Sequence, residues 1–287
     1  MADGRLALLS TLGLLGLVAC SAGGTHRRDD EIEMSHTLVA STRNGVVSSL
    51  DEKRFDRGTA SDGVWSPRRF MARSSPGIYF LEAYDPQRIP VLFVHGYGGS
   101  PRDFSSLIAD LDTTRFQAWV YSYPSGLRLP VLTEHLQWSL SQLRARLAFD
   151  CVSIVAHSMG GLVARGFIQR NALTLQPQCI PLFVSISTPW QGSRAARWAP
   201  DLVSTWSDLA NGSQYLRTLF AMPFPESTRY FLVFTSDDRT VPVDSQLGSF
   251  APQEAAQVIG YDATHVGVLH DAAATAGLLR LLEQVAR

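Results

Sequence analysis

Seven apolar runs divide the chain from residue 77 onward. Rich in aromatic and β-branched residues, they read IYFLEAY, IPVLFVH, FQAWVYSY, CVSIVAH, IPLFVSIS, YFLVFTS and AAQVIGY. Apolar residues follow one another within most of these runs, which is typical of strands in a parallel sheet covered on both faces. The pattern therefore predicts seven strands in a mainly parallel sheet.

Helical patterns fall between these runs. The segment SPRDFSSLIADL begins with Ser100 as a predicted N-cap, Pro101 at the first helical position and Asp103 three residues after the cap. A second segment, VLTEHLQWSLSQLRARLAF, places leucines on one helical face, namely Leu132, Leu136, Leu140, Leu143 and Leu147. Alternating strands and helices predict one α/β domain over residues 77–287, with ligands at the carboxyl ends of the strands.

The first residues predict an exported protein. Arg5 precedes an apolar run from Leu6 to Ala19, which is short for a bilayer span and has the length of a signal-peptide core. The sequence Leu-Val-Ala-Cys, ending at Cys20, resembles the lipobox of bacterial lipoproteins, in which the cysteine becomes the acylated N-terminus. An ordinary secretory signal and a retained membrane anchor are the alternatives.

Lipidation at Cys20 would place the protein in the cell envelope. Ser21 follows the cysteine where an aspartate would indicate retention at the inner membrane, so the outer membrane is favoured. Several acyl chains would hold the chain stably, because each buried methylene contributes about 0.8 kcal/mol. Residues 1–19 are thus predicted as the signal peptide and 20–76 as a tether and N-terminal extension, with a short helix or irregular segment laid against the domain.

Composition limits the partners and cofactors. The 287 residues are 45% hydrophobic, enough for one sizeable core, and the formal net charge of −1 offers no basic field for nucleic acid. No His, Cys, Asp or Glu cluster has metal-ligand spacing, so no metal or other cofactor is expected. The oligomeric state is not predicted.

A serine stands between a predicted strand and a predicted helix in the segment VAHSMGG. A sharp turn there would lift the Ser158 hydroxyl out of the sheet, and small neighbours would let strand and helix approach. The segment resembles the G-x-S-x-G nucleophile elbow of α/β-hydrolases, with Gly160 at the second glycine position and Ala156 in place of the first.

A glycine-rich loop follows the predicted strand VLFVH. His95-Gly96, followed by Tyr97 and two more glycines, resembles the oxyanion loop of bacterial lipases and esterases. By position, the backbone amides of Tyr97 and Met159 would bind the oxyanion. His95 precedes the serine, whereas the α/β-hydrolase order is serine, acid, histidine, so it is predicted to have a structural hydrogen-bonding role.

The acid and the base are sought after the later strands. The turn Asp-Arg-Thr-Val-Pro that begins at Asp238 resembles the acid turn of the family; Asp237 is the alternative, and Asp244 lies nearby. The histidine in the loop THVGVL, His265, is the predicted base, because His270 belongs to the start of the last helix.

Taken together, these segments resemble α/β-hydrolases of the lipase and esterase branch, close to GPI-inositol deacylase-like and lecithin:cholesterol acyltransferase-like sequences. The segment STPWQGS adds to the resemblance, with Trp190 where histidine is common. The resemblance implies hydrolysis of an ester or lipid substrate through an acyl-serine on Ser158, with His265 as base and Asp238 as acid.

Two structural alternatives remain open. Residues 189–228 are rich in aromatic residues, which form either a cap that lines the substrate pocket, with Trp190 as a substrate-binding residue, or part of the core. Cys151 and Cys179 precede neighbouring strands and form either a disulfide or two buried thiols.

Three functional classes are compatible with this pattern. The first is a serine esterase or lipase. The second is an amidase or an acyltransferase, because these share the fold and the triad. The third is a non-catalytic envelope lipoprotein, for which the complete set of Ser158, Asp238 and His265 would have no use.

Overall fold

An eight-stranded sheet forms the centre of the structure, a computed structural model that describes residues 29–198, 203–248 and 250–284. The predicted signal peptide and Cys20 lie outside the described residues. Within these ranges, no helix is long and apolar enough to cross a bilayer. The strands are β1 (Val46–Val47), β2 (Gly77–Phe80), β3 (Ile89–Val94), β4 (Phe116–Ser122), β5 (Ser153–His157), β6 (Leu182–Ile186), β7 (Arg229–Thr235) and β8 (Gln257–Tyr261).

The spatial order of the strands is β1-β2-β4-β3-β5-β6-β7-β8. Among these pairs, β2 and β4 run antiparallel and the others run parallel. Each of the seven predicted runs overlaps one of the strands β2 to β8, which confirms the mainly parallel α/β sheet. Strand β2 ends at Phe80, earlier than its run, and β1 is an addition that two exposed valines did not predict.

Helices cover both faces of the sheet. They are α1 (residues 29–41), α2 (Arg57–Trp65), α3 (Pro67–Ser74), α4 (Ser105–Ala109), α5 (Leu129–Leu147), α6 (Met159–Ala172), α7 (Thr205–Leu209), α8 (Gln214–Ala221), α9 (Val243–Leu247), α10 (Ala251–Glu254) and α11 (Ala272–Glu283). Leu132 of α5 and Leu162 of α6 belong to the core on one face, and Leu107 of α4 and Leu278 of α11 to the core on the other. Burial on both faces explains the nearly continuous apolar strands.

The predicted capping signal at Ser100 is present. The Ser100 hydroxyl accepts from the Arg102 amide at 3.3 Å, and the Ser100 amide donates to Asp103 Oδ2 at 3.0 Å. The helix begins as a 3-10 turn, Pro101–Phe104, before continuing as α4. Reciprocal capping of this kind starts the segment immediately after the glycine-rich loop.

The chain before β2 packs against the domain with more regular structure than its sequence pattern predicted. Leu38 of α1 is fully buried in the same core as α5 and α6. At the start of α5, the Arg128 guanidinium contacts Glu31 of α1 at 2.6 Å and Asp208 of α7 at 2.7 Å. A single side chain therefore ties the N-terminal helix to the segment between β6 and β7.

Cys151 and Cys179 form a disulfide, which decides between the two alternatives left open by the sequence. The Val152 amide also donates to the Cys179 carbonyl at 3.0 Å. The bond joins the chain where it enters β5 and β6, at the amino ends of these strands. It therefore lies at the opposite end of the sheet from the loops that follow the strands.

Candidate active site

The turn after β5 holds Ser158 in a conformation that L-residues rarely adopt, with φ 54° and ψ −130°. A Cβ atom at Gly160 would lie 2.4 Å from the carbonyl oxygens of Val94 and His95, and one at Gly96 would lie 2.8 Å from Ser158 Cβ. Both positions therefore require glycine. The close approach places the serine beside the loop that follows β3.

Ala156, two residues before Ser158, departs from the usual glycine of this turn. It is a fully buried β5 residue that pairs with Val94 on one side and Ser185 on the other. The structure therefore accommodates a methyl group at this position, and the departure does not disturb the turn.

The residues predicted as nucleophile, base and acid come together across three strand ends. His265 Nε2 lies 2.9 Å from Ser158 Oγ, and His265 Nδ1 lies 2.6 Å from Asp238 Oδ2. Ser158 follows β5, Asp238 follows β7, and His265 follows β8. The side chains of His265 and Asp238 are 12% and 0% exposed, so their hydrogen bond is shielded from water.

Backbone amides hold Asp238 in place. The amides of Thr240 and Val241 both donate to Oδ1 at 2.8 Å, while Oδ2 faces His265. Burial alone would raise the pKa of Asp238, but the hydrogen bonds from His265 and from the two amides lower that pKa below its usual value. The carboxylate therefore stays ionised beside the imidazole.

Two further side chains hydrogen-bond Asp238, and the sequence did not predict either contact. Thr235 Oγ1 and Gln246 Nε2 donate to Asp238 Oδ2 at 3.1 and 3.2 Å. Gln246 lies on α9, and its Nε2 also donates to the Val241 carbonyl at 2.7 Å. Nothing local in the sequence marks these residues, because their roles depend on α9 folding back over β7.

The alternative candidates point elsewhere. The side chain of Asp237 is 59% exposed and faces Arg239 at 4.0 Å. Asp244 is an exposed residue of α9. His270 is also exposed, and its Nδ1 lies 2.9 Å from the hydroxyl of Ser106.

His157 holds the loop of His265 through a hydrogen bond to its backbone, a role that the sequence did not predict. Its Nε2 donates to the His265 carbonyl at 2.8 Å, and the two rings lie 4.7 Å apart. Burial and the neighbouring His265 lower the pKa of His157 to about 3. A neutral His157 adds no positive charge beside the imidazole of His265.

His95 has structural contacts within the glycine-rich loop. Its Nδ1 donates to the Gly96 carbonyl at 2.9 Å, its ring stacks on Tyr123 at 4.2 Å, and the Tyr123 hydroxyl donates to the His95 carbonyl. Burial lowers the pKa of His95 to about 4. These contacts fix the loop that carries Tyr97.

The two residues predicted as oxyanion donors lie in the loop after β3 and at the start of α6. Tyr97 follows Gly96 in the loop, and Met159 is the first residue of α6, where backbone amides have no acceptor within the helix. The loop is held at Gly98, whose amide donates to Ser125 Oγ at 3.0 Å. Both amides thus belong to segments in contact with Ser158.

Trp190 is a core residue in the structure, which corrects its prediction as a substrate contact. It is 2% exposed, and its ring packs edge-on against Phe220 at 6.0 Å and Tyr230 at 6.2 Å. The fully buried Arg165 guanidinium of α6 lies 5.8 Å from the Trp190 ring and pairs with Glu254 at 2.7 Å. The aromatic rings therefore surround a buried ion pair.

Comparison with known proteins identifies the family. A profile of the alpha/beta hydrolase family matches residues 91–278, more than half of the chain. The chain therefore belongs to the α/β-hydrolase family, and the predicted fold and lipase or esterase resemblance are confirmed at this level.

Individual relatives are distant. A triacylglycerol lipase from Burkholderia plantarii is 25% identical over 147 residues, which cover 46% of this chain and 38% of that protein. Lipase B from Aspergillus fumigatus shares the fold with a TM-score of 0.55 at 17% identity, over 75% of this chain and 57% of that one. The monoacylglycerol lipase of Paleococcus ferrophilus does so with a TM-score of 0.52 at 14% identity, over 73% and 98%. The structural likeness at these identities shows the fold of the family, and the lipase names belong to the relatives.

The buried histidines predict an acid-sensitive fold. Burial lowers the pKa of His95 to about 4 and those of His135 and His157 to about 3, all below the ordinary 6.5. The unfolded chain therefore binds more protons, so their contribution to stability is complete above pH 6.5 and falls as the pH decreases towards 3. Urea unfolding between pH 6 and 5 should show an uptake of about three protons per molecule.

The variant His135→Gln is the control for this proton uptake, which is measured as the change in the free energy of unfolding with pH. His135 hydrogen-bonds Thr42 Oγ1 and the Tyr121 hydroxyl, both at 2.7 Å, and glutamine keeps hydrogen-bonding capacity without titrating. The variant should take up about one proton fewer than the wild type. An unchanged proton uptake in the variant would mean that His135 has the same pKa in the folded and unfolded states.

Truncation of Trp190 should act on stability. The variant Trp190→Ala leaves a cavity among packed rings, so we expect the free energy of unfolding to fall by about 3–5 kcal/mol. The half-buried Trp206 is the matched control, and Trp206→Ala should cost less. Urea denaturation of both variants measures the difference, and equal losses would contradict the core assignment.

Proposed function

We propose that the protein is a serine hydrolase that cleaves carboxylic esters through an acyl-serine intermediate. Two consecutive hydrogen bonds, from Asp238 to His265 and from His265 to Ser158, carry the proposal. Its order along the chain, its position at the carboxyl ends of parallel strands and the backbone strain at the serine support the same assignment.

Acylation assigns a separate role to each of the three side chains. Ser158 Oγ attacks the carbonyl carbon of the ester while His265 Nε2 takes the hydroxyl proton. Asp238 orients the imidazole through Nδ1–H and stabilises the imidazolium. The amides of Tyr97 and Met159 stabilise the oxyanion of the tetrahedral intermediate. Its collapse breaks the ester C–O bond, and His265 gives its proton to the leaving alcohol.

Deacylation repeats these steps with water. His265 Nε2 takes a proton from water as its oxygen attacks the acyl carbon of the ester on Ser158. Collapse of the second tetrahedral intermediate releases the carboxylic acid, and the proton returns to Ser158 Oγ. Release of the acid therefore restores the starting enzyme.

The proposed substrate class is an ester with an apolar acyl group. The curated relative is named a triacylglycerol lipase, and rings of Tyr97 and Trp206 pack at 6.3 Å beside the proposed oxyanion loop. Aromatic rings on the loop that adjoins the serine suit an acyl chain. An amidase or an acyltransferase would use the same three side chains, so substrate tests decide between them.

Activity and labelling should depend on three residues. Wild-type protein should hydrolyse p-nitrophenyl esters and react with a fluorophosphonate probe at Ser158, and Ser158→Ala should lose both. His265→Ala and Asp238→Asn should each lower kcat by about 10³–10⁴-fold, because the base or its orientation is lost. Mass spectrometry of the labelled peptide and steady-state kinetics check these outcomes.

Matched controls separate this set from its neighbours. Asp237→Asn removes the adjacent but exposed carboxylate and should change kcat less than twofold. His270→Ala should behave similarly. Probe labelling at another serine, or full activity in Ser158→Ala, would overturn the proposal, whereas turnover of anilides in preference to esters would indicate an amidase.

We further propose that Cys20 is the acylated N-terminus of an envelope lipoprotein, on the basis of its lipobox-like sequence. Labelling with a clickable palmitate analogue in a bacterial host should mark the wild type and not Cys20→Ser. Cys151→Ser is the control, because it removes a disulfide cysteine and should retain the label. A mature N-terminus elsewhere, without lipid, would contradict this proposal.

A further inference from the structure

Three aromatic rings form a continuous strip at the edge of the candidate active site. Tyr97 of the glycine-rich loop lies 6.3 Å from Trp206 of α7, and Trp206 lies 6.5 Å from Trp65 at the end of α2. Trp65 is 58% exposed, although tryptophan is a large apolar side chain. These three residues are called the aromatic strip.

The inner end of the strip belongs to the loop that contacts the nucleophile. Tyr97 follows Gly96, the residue at which a Cβ atom would lie 2.8 Å from Ser158 Cβ. Thr205, next to Trp206, donates its hydroxyl to Met159 Sδ at 3.5 Å. The inner end of the strip is therefore attached to the loop and the helix start that adjoin Ser158.

The outer end of the strip is positioned by the chain before β2. The Gly126 amide donates to the Gly63 carbonyl at 3.0 Å, and a Cβ atom at Gly126 would lie 2.2 Å from the Val64 carbonyl oxygen. The end of α2 is thus packed directly on the loop that follows β4. Trp65, the next residue, is held at a defined place although it lies outside the family-matched range 91–278.

The order of the strands shows which part of an ester would reach the strip. His265 and Asp238 follow β8 and β7, on one side of the β5 serine, whereas Tyr97 follows β3 on the other side. The leaving alcohol must lie next to His265, because this residue protonates it. The acyl group, the remaining substituent of the reacting carbon, then lies away from His265, and the aromatic strip that continues from the oxyanion loop to Trp206 and Trp65 is an apolar surface on that side.

We propose that the aromatic strip binds the acyl chain of the ester and that Trp65 sets the preference for chains of medium length. The inference rests on the proposed ester hydrolysis and extends it to a specificity-determining residue from the N-terminal extension. A short acetyl group ends near Tyr97, whereas an octanoyl chain reaches further outward along the indoles. Contact with Trp65 then removes apolar surface of both partners from water.

The test compares Trp65→Ala with wild type on p-nitrophenyl acetate, butyrate and octanoate, each dissolved below its solubility limit. The ratio of kcat/KM for octanoate to that for acetate should fall about tenfold in Trp65→Ala, because the loss grows with the buried length of the chain. Trp65→Phe keeps an aromatic face and should lie between the two.

Phe250→Ala is the matched control. Phe250 is 56% exposed, close to the value for Trp65, and its ring packs on Phe220 at 6.0 Å instead of on the strip. Its octanoate-to-acetate ratio should equal that of the wild type. Thermal melting of all variants verifies that each is folded under the assay conditions.

Three results would overturn the inference. An unchanged ratio in Trp65→Ala, with the wild type active on the esters, would remove the acyl-chain role and leave the proposed hydrolysis intact. The same esters can also be presented in lipid vesicles. If Trp65→Ala lowers kcat/KM only in the vesicle assay and leaves the octanoate-to-acetate ratio on dissolved esters unchanged, Trp65 is assigned to membrane contact instead. A wild type that hydrolyses none of the esters and does not react with fluorophosphonate would remove the proposed function as well.

Discussion

The close contact between the β5–α6 turn and the loop after β3 determines the rest of the site. Gly160 lies against the carbonyls of Val94 and His95, and Gly96 lies against Ser158, with no room for a side chain at either glycine. This contact forces the serine to a positive φ angle and brings the amides of the loop next to it. Strain of this kind costs of order 1–3 kcal/mol and persists only where the surrounding structure maintains it.

The surrounding structure supplies that support through buried polar groups. His157, directly before the serine, holds the carbonyl of His265, while Thr235 and Gln246 hold the carboxylate of Asp238. Each of these bonds lies in a region with little water, where an unmade hydrogen bond would be costly. His157, Thr235 and Gln246 therefore fix the positions of the acid and the base relative to the serine.

The sequence predicted the elements whose signals are local. Strands β2 to β8 follow from apolar runs, and Ser158, Asp238 and His265 follow from short motifs at strand ends in the order typical of the family. Gln246 and His157 had no such signal, because their partners are distant along the chain. Trp190 was misjudged as a substrate contact for a related reason: apolar composition does not show whether a ring faces a pocket or a buried ion pair such as Arg165–Glu254.

The disulfide and the candidate active site lie at opposite ends of the parallel strands. The disulfide between Cys151 and Cys179 joins β5 and β6 where they begin, and the serine site occupies the ends at which these strands finish. Sequence change can accumulate in the loops at the finishing ends while the cross-linked ends keep the strands in register. Substitutions in those loops therefore leave the disulfide unstrained, so the stability of the sheet and the geometry of the serine site can be varied separately.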